Sequence, residues 1–115
     1  MGELLEFRET TPFGKVWGKL MGNDAEMERR QLEQHLQDTP EAGELIPRTG
    51  GARKLRWKHN GGKRGGARVI YYYRNSQGMI FLIAVYSKRE KENLTSEEEI
   101  LIKKKKNKKG KVIKN

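Results

Sequence analysis

The chain has 115 residues, of which 25 are Lys or Arg, 15 are Asp or Glu and none is Cys. This length suits one small domain, and the lack of cysteine excludes disulfides and thiolate metal sites. The sequence contains no apolar run long enough to span a membrane and opens with no signal segment. It therefore predicts a cytoplasmic protein without a membrane partner. With two histidines, His35 and His59, neither a metal site nor a cofactor is expected.

The net charge of +10 is unevenly distributed. Residues 1–44 carry 5 basic and 10 acidic groups, whereas residues 45–89 carry 11 basic groups and no acidic one. An acid-free basic block of this size is uncommon in ordinary domains and favours a polyanionic partner. A second block, 103–115, holds eight lysines and little apolar sequence, and it predicts a flexible tail behind a domain of residues 1–102.

The first third of the chain predicts a short strand at 4–7 and two helices. Phe13, Val16, Trp17, Leu20 and Met21 follow helical spacing and form one apolar stripe. The second helix is expected over about 25–37, with Ala25, Leu32 and Leu36 facing inward, since Pro40 prevents continuation.

The pattern of the basic block predicts a three-stranded antiparallel meander. In the stretch 52–58, Leu55 and Trp57 alternate with cations, as in a half-buried strand. A glycine-rich loop follows, then the β-branched and aromatic run 67–75, a turn at 75–78 and the apolar run 79–87. The loop holds Lys63 and Arg64 but lacks the spacing of a nucleotide-binding loop, so it is interpreted as a mobile connection that could bring two cations to a polyanion.

Near the end, Thr95 with Glu98 resembles a capping box that opens a short helix. The predicted fold class is therefore α+β: a small antiparallel sheet with two N-terminal helices packed on one face and a short C-terminal helix.

The cations are expected on the sheet face that the helices leave open. A two-residue turn at Ser76-Gln77 would pair Arg68 with Val85 and put Arg68 on the same face as Ser87 and Arg89. Arg56, Arg68 and Arg89 would then converge. Trp57 and the tyrosines at 71–73 could stack on unpaired bases, but burial in the core is the more common role of such residues, and alternation requires it of Tyr71 or Tyr72.

From Pro40 to Thr95 the sequence resembles the RelE/ParE superfamily of toxins, in particular the HigB-type, RelE-like branch. The matching blocks are Pro40-Glu-Ala-Gly43, Ile46, Thr49-Gly-Gly51, Arg53-Lys-Leu-Arg-Trp57, Gly62-Lys-Arg-Gly-Gly-Ala-Arg-Val-Ile-Tyr-Tyr-Tyr73, Tyr86 with Lys88, Glu90-Lys91 and Leu94-Thr95. They cover about half of the chain.

The resemblance implies a ribosome-dependent mRNA endoribonuclease, independent of metal, with a cognate antitoxin, the ribosome and mRNA as partners. By position it implies five catalytic residues: Lys54, Arg56, Arg68, Lys88 and Arg89. RelE also has a catalytic tyrosine shortly after the last of these, and the matching stretch 90–95 contains none. Either Tyr86, Tyr73 or a lysine would then take over its role, or cleavage would be weak.

The chemistry supports a cationic site independently, because RNA carries its own nucleophile and the protein must align it and offset developing charge. Further RNA contacts are expected from six residues: Arg53, Lys58, Lys63, Arg64, Tyr73 and Tyr86. Two alternatives stay open at this point. One is a ParE-like inhibitor of DNA gyrase without nuclease activity, and the other is a non-enzymatic RNA- or ribosome-binding protein, for which charge alone would suffice.

Overall fold

The computed structural model describes residues 4–58, 66–88, 90 and 93–104. Its elements are β1 (Glu6–Glu9), α1 (Thr11–Met21), α2 (Ala25–Asp38), β2 (Glu44–Leu45), β3 (Arg53–Trp57), β4 (Ala67–Arg74), β5 (Met79–Ser87) and a C-terminal helix α3 over 96–104. The predicted α+β class is confirmed. Helix α3 reaches two residues past the predicted domain boundary, and the remainder of the lysine-rich tail lies outside the described residues, as does the loop 59–65.

The five strands form one sheet in the order β1-β5-β4-β3-β2. Strands β2 to β5 pair antiparallel, whereas β1 adds to β5 in the parallel sense, so the sheet is mixed. The predicted first strand is present but lies two residues later than expected. Strand β2 was not predicted, because a pair of residues is too short to show the alternation that marks a strand.

Helices α1 and α2 cover one face of the sheet. Phe13, Trp17 and Met21 of α1 are buried, and so are Leu32 and Leu36 of α2, as the spacing predicted. Thr10 caps α1 by accepting from the N–H of Phe13, and it also donates to the carbonyl of Ile83 at 2.7 Å, which ties the start of the helix to β5. The main core therefore lies between this helical layer and the sheet.

The opposite face is only partly covered. Ile70, Tyr72, Phe81 and Ile83 form a second apolar cluster there, and Ile102 of α3 packs onto it. The loop between β2 and β3 closes the rest of this cluster with Ile46 and Ala52. The expectation that the helices leave this face open to the cations thus holds for one end of the sheet and not for the other.

The main core predicts a sharp contrast between two residues of α2. Replacing the fully buried Leu36 by Ala should lower the free energy of unfolding by about 2–5 kcal/mol, because it leaves a cavity among closely packed side chains. The matched substitution Met27→Ala, at a position 43% exposed, should change it by less than about 0.5 kcal/mol. Guanidinium unfolding of both variants measures this, and equal losses would contradict the assigned core.

Candidate active site

Three side chains form a row across the centre of the sheet. Arg56 of β3 pairs directly with Arg68 of β4, and Arg68 pairs with Tyr86 of β5. Residues directly opposite one another share a face, with Cβ atoms about 4.5–5.5 Å apart. We call Arg56, Arg68 and Tyr86 the arginine row. It lies on the face opposite α1 and α2, since the neighbours Leu55 and Val69 face the helices.

The arginine row depends on an irregularity that the sequence did not reveal. From Arg74↔Met79 to Tyr71↔Leu82 the predicted register is correct, but a bulge between Ile70 and Tyr71 then shifts the pairing by one residue. Arg68 therefore pairs with Tyr86 and not with Val85 as predicted. Ser87, expected beside Arg68, pairs with Ala67 instead, because one extra residue in β5 reverses which side chains share a face.

The two arginines of the row differ in exposure. Arg68 is 2% exposed and Nη1 of its guanidinium donates to the carbonyl of Ala67 at 3.3 Å, whereas Arg56 is exposed. Burying a guanidinium is expensive unless its surroundings hold it well. The row thus combines one buried cation with one that reaches solvent.

Lysines flank the arginine row on its two sides. Lys54 lies two residues before Arg56 on β3, in the next cross-strand row, Lys54–Ile70–Ala84. Lys88 lies two residues after Tyr86, and its N–H donates to the carbonyl of Gly66 at 3.2 Å, which continues the pairing past the end of β5. Because β3 and β5 run in the same direction, Lys54 and Lys88 lie on opposite sides of the row, each offset by about 7 Å of strand.

A cavity of about 240 Å³ adjoins Lys54. The Nζ of Lys54 donates a hydrogen bond to Oδ1 of Asn93 at 2.8 Å. Besides Lys54, the cavity is lined by residues of β2 and its following loop, of the segment that leads into α3 and of α3 itself: Glu44, Leu45, Ile46, Pro47, Asn93, Leu94 and Glu99.

The structure does not bring every expected RNA contact to this face. Lys58 is exposed and follows Arg56 by two residues, so alternation keeps it beside the row. Arg53 instead pairs with Tyr71 on the helical side, and its guanidinium donates to the carbonyl of Gly43 at 2.8 Å. Tyr73 also packs against the main core. Arg89, Lys63 and Arg64 lie outside the described residues, so their predicted roles stay predictions.

The other aromatic residues of the basic block are structural. Trp57 packs on the main core and its Nε1 donates to the buried carboxylate of Glu28 at 3.0 Å. Tyr71 and Tyr72 are both buried, on opposite faces. Burial raises the pKa of Tyr71, although a hydrogen bond from the Gly43 N–H opposes the shift. Burial likewise raises the pKa of Tyr72 to about 12, against the effect of its hydrogen bond with Thr49.

Helix α3 is held beside the site by an ion pair between its buried Glu99 and Arg48, whose side chain is 61% exposed. Glu99 is 5% exposed and accepts from Nε of Arg48 at 2.9 Å and from Nη2 of the same guanidinium at 2.7 Å. The predicted capping box is confirmed: the N–H of Thr95 donates to the Glu98 carboxylate, and the N–H of Glu98 donates to the Thr95 hydroxyl. Sequence reasoning missed Arg48, Glu99 and Asn93, because their contacts join segments 39 or more residues apart.

Acidic and histidine side chains do not gather into a metal-binding group anywhere in the described residues. None of the helices in the same part of the chain is long and apolar enough to cross a membrane.

Solved structures of one toxin have the same fold. A free double arginine-to-alanine variant of Escherichia coli toxin RelE superposes with a TM-score of 0.57 at 16% identity, over 78% of this chain and 90% of that one. The same variant in complex with an antitoxin RelB peptide gives 0.55 at 20% identity, over 83% and 90%. The intact E. coli RelBE toxin–antitoxin complex gives 0.52 at 21% identity, over 72% and 95%.

These likenesses define the class of the fold, which is RelE-like. At the level of sequence, no family model and no curated protein matches the chain.

Tyr72 predicts an alkaline limit to stability. Its phenol stays neutral up to about pH 12 in the folded chain but ionises near 10.0 when unfolded. Its contribution to stability is therefore complete below pH 10.0 and is lost as the pH rises through about 12. Guanidinium unfolding across this pH window should show a smaller loss of stability in Tyr72→Phe than in the wild type. If the free energy of unfolding fell equally with pH in both proteins, the raised pKa of Tyr72 would be contradicted.

The ion pair on α3 predicts a local effect. Glu99→Ala leaves the Arg48 guanidinium without its carboxylate and should weaken the docking of α3, so backbone amides of 96–104 should exchange hydrogen faster, by about 10-fold or more. Glu97→Ala, at an exposed position of the same helix, should leave their exchange unchanged. Hydrogen-exchange mass spectrometry measures both, and equal behaviour of the two variants would refute the role of Glu99.

Proposed function

We propose that this chain is the toxin of a toxin–antitoxin pair and that it cleaves mRNA on the ribosome by attack of a 2′-hydroxyl on the adjacent phosphate. The observation that carries the proposal is the arginine row, in which Arg56 and Arg68 face the same side of the sheet as direct neighbours. Like charges placed directly opposite one another destabilise a sheet. A phosphodiester bound between them would remove that repulsion and receive hydrogen bonds from two guanidiniums.

The reaction needs two proton transfers around the bound phosphate. The 2′-oxygen forms a bond to phosphorus and loses its proton to a base, while the bond from phosphorus to the 5′-oxygen breaks and that oxygen gains a proton. The products are a 2′,3′-cyclic phosphate and a 5′-hydroxyl. Arginine stays protonated in proteins, so the arginine row would hold charge and not transfer protons.

The flanking lysines suit the two transfers. In-line displacement places the attacking and leaving oxygens on opposite sides of phosphorus. Lys54 and Lys88 likewise lie on opposite sides of the arginine row. We assign Lys54 as the base that takes the proton of the 2′-hydroxyl, and Lys88 as the group near the leaving 5′-oxygen. Arg89, which the resemblance implies to be catalytic, is assigned to the departure of that oxygen as well. No step in this scheme calls for a metal or another cofactor.

Tyr86 is the best candidate to replace the tyrosine that RelE has after its last strand. It belongs to the arginine row, whereas Tyr73 lies on the helical side of the sheet. The segment Tyr86-x-Lys88-x-Glu90 also supports assignment to the HigB-type branch. Its Glu90 closes the turn after β5, since its carboxylate accepts from the N–H of Ser87 and its own N–H donates to the Ser87 carbonyl at 3.0 Å.

An antitoxin partner is part of the proposal. RelE of known structure binds antitoxin RelB. In this chain Leu45, Ile100 and Leu101 are large apolar residues between 49% and 63% exposed, on β2 and α3 beside the basic face. An antitoxin segment with acidic and apolar residues would complement that combination of surfaces. The ribosome and mRNA complete the proposed partners, and cytoplasmic location follows from them.

The test is induced expression in bacteria followed by mapping of mRNA 5′ ends. Cuts phased with codons in translated regions are expected, together with growth arrest. Intact mRNA with blocked DNA supercoiling would overturn the nuclease in favour of gyrase inhibition. Intact mRNA together with normal DNA supercoiling would favour the remaining alternative, a protein that only binds RNA or the ribosome.

Two matched substitutions, one at Arg68 in the site and one at Arg30 outside it, extend this experiment. Arg68→Met keeps the volume of the buried side chain but removes its charge, and cutting should fall by about 100-fold or more, since one lost transition-state contact of this kind has a comparable effect elsewhere. Co-sedimentation with ribosomes should largely persist, because the remaining cations supply most of the affinity. Arg30→Met, at an exposed position on α2, is the control and should cut normally. Normal cutting by a folded Arg68→Met protein would contradict the site.

A further inference from the structure

We infer that Asn93 is a positioning residue for the proposed reaction, acting by holding the side chain of Lys54. The inference rests on the proposed function. Lys54 is the flanking lysine to which the base role is assigned, and the described contact of its Nζ is with Oδ1 of Asn93 at 2.8 Å. A free lysine side chain samples many rotamers, so an acceptor that fixes its nitrogen reduces the ordering that the reaction would otherwise require.

The chemistry of the acceptor fits a base. Two carboxylates also line the adjoining cavity: Glu99, and Glu44, which lies directly opposite Lys54 in the pairing of β2 with β3. Glu99 is occupied by the Arg48 guanidinium. A carboxylate in contact with the Lys54 nitrogen would favour the charged ammonium and would repel a phosphate nearby. The amide oxygen of Asn93 accepts a hydrogen bond from the same nitrogen without adding negative charge.

The position of Asn93 is itself fixed by the fold. It lies two residues before the capping box that begins α3, and Leu94 packs against the second apolar cluster. Helix α3 is in turn fixed by the Arg48–Glu99 ion pair and by the buried side chain of Ile102. The segment that lacks the tyrosine of RelE thus delivers an amide to the proposed base, from a chain position 39 residues away.

A double-mutant cycle distinguishes action through Lys54 from a general structural effect. Cleavage of mRNA on programmed ribosomes is measured for the full chain and for Asn93→Leu, which has a similar branched shape but no acceptor. We expect kcat to fall by about 10- to 100-fold with KM nearly unchanged, as for loss of one hydrogen bond to a charged group. Asn93→Gln, which keeps the amide oxygen, should restore cutting to within about 3-fold of the wild type.

The decisive arm repeats Asn93→Leu in a Lys54→Ala background, with excess protein and long incubation so that slow cutting is quantified. If Asn93 acts through Lys54, its removal should cost no more than about 2-fold further. Asn23→Leu, at an exposed turn between α1 and α2, is the control for both backgrounds. Asn93→Ala provides a second variant should the leucine lower the melting temperature.

Two results would overturn the inference while leaving the proposed function intact. One is normal kcat in both Asn93→Leu and Asn93→Ala, and the other is a full additive loss in the Lys54→Ala background. Failure of the proposed function looks different, because the wild-type chain would then cut no mRNA on any programmed codon. That result would overturn the inference together with the function on which it rests.

Discussion

The direct opposition of two arginines across β3 and β4 is the constraint on which the candidate site depends. Such a pair is unfavourable by itself, so the strand register must be fixed by something stronger. A slip of one residue would turn Leu55 and Val69, which pack on α1 and α2, toward the opposite face. Burial of these two side chains stabilises the observed register by about 1.5–3 kcal/mol each. The apolar core therefore keeps the charges together.

The sheet face that carries the arginine row has an apolar end and a cationic end. At the end near the turn between β4 and β5 it is apolar and covered by α3 and by the loop after β2, and toward the other end it presents cations. The Arg48–Glu99 ion pair lies close to the boundary, since Glu99 also lines the cavity beside Lys54. Helix α3 thus has a structural role and also brings Asn93 to the site. Both effects follow from one docked helix.

The sequence predicted the parts of this structure that rest on local patterns. The stripe on α1, the inward residues of α2, the alternation around Leu55 and Trp57 and the capping box of α3 all involve residues close together in the chain. Prediction failed where one extra residue or a distant contact decides the outcome. The bulge in β5 moved the partner of Arg68 from Val85 to Tyr86. No periodicity reports such an insertion, since the run 79–87 is apolar on both faces.

The cations of β3 lie on different faces of the sheet because side chains alternate along a strand. Arg53 and Arg56 are three residues apart, so alternation places them on opposite faces, and Arg53 binds the carbonyl groups before β2. Lys54 and Arg56, which are two apart, share the candidate site. Arginine does not give up a proton, so in the proposed reaction an acid–base step needs a lysine of the site or Tyr86. Tyr86, the third member of the arginine row, is only 6% exposed and pairs directly with Arg68. In the proposed reaction, this buried phenol beside the buried guanidinium of Arg68 is better placed to hold a phosphate oxygen than to exchange protons with solvent. The proposed proton transfers are therefore assigned to the two lysines, which are offset to either side of the row.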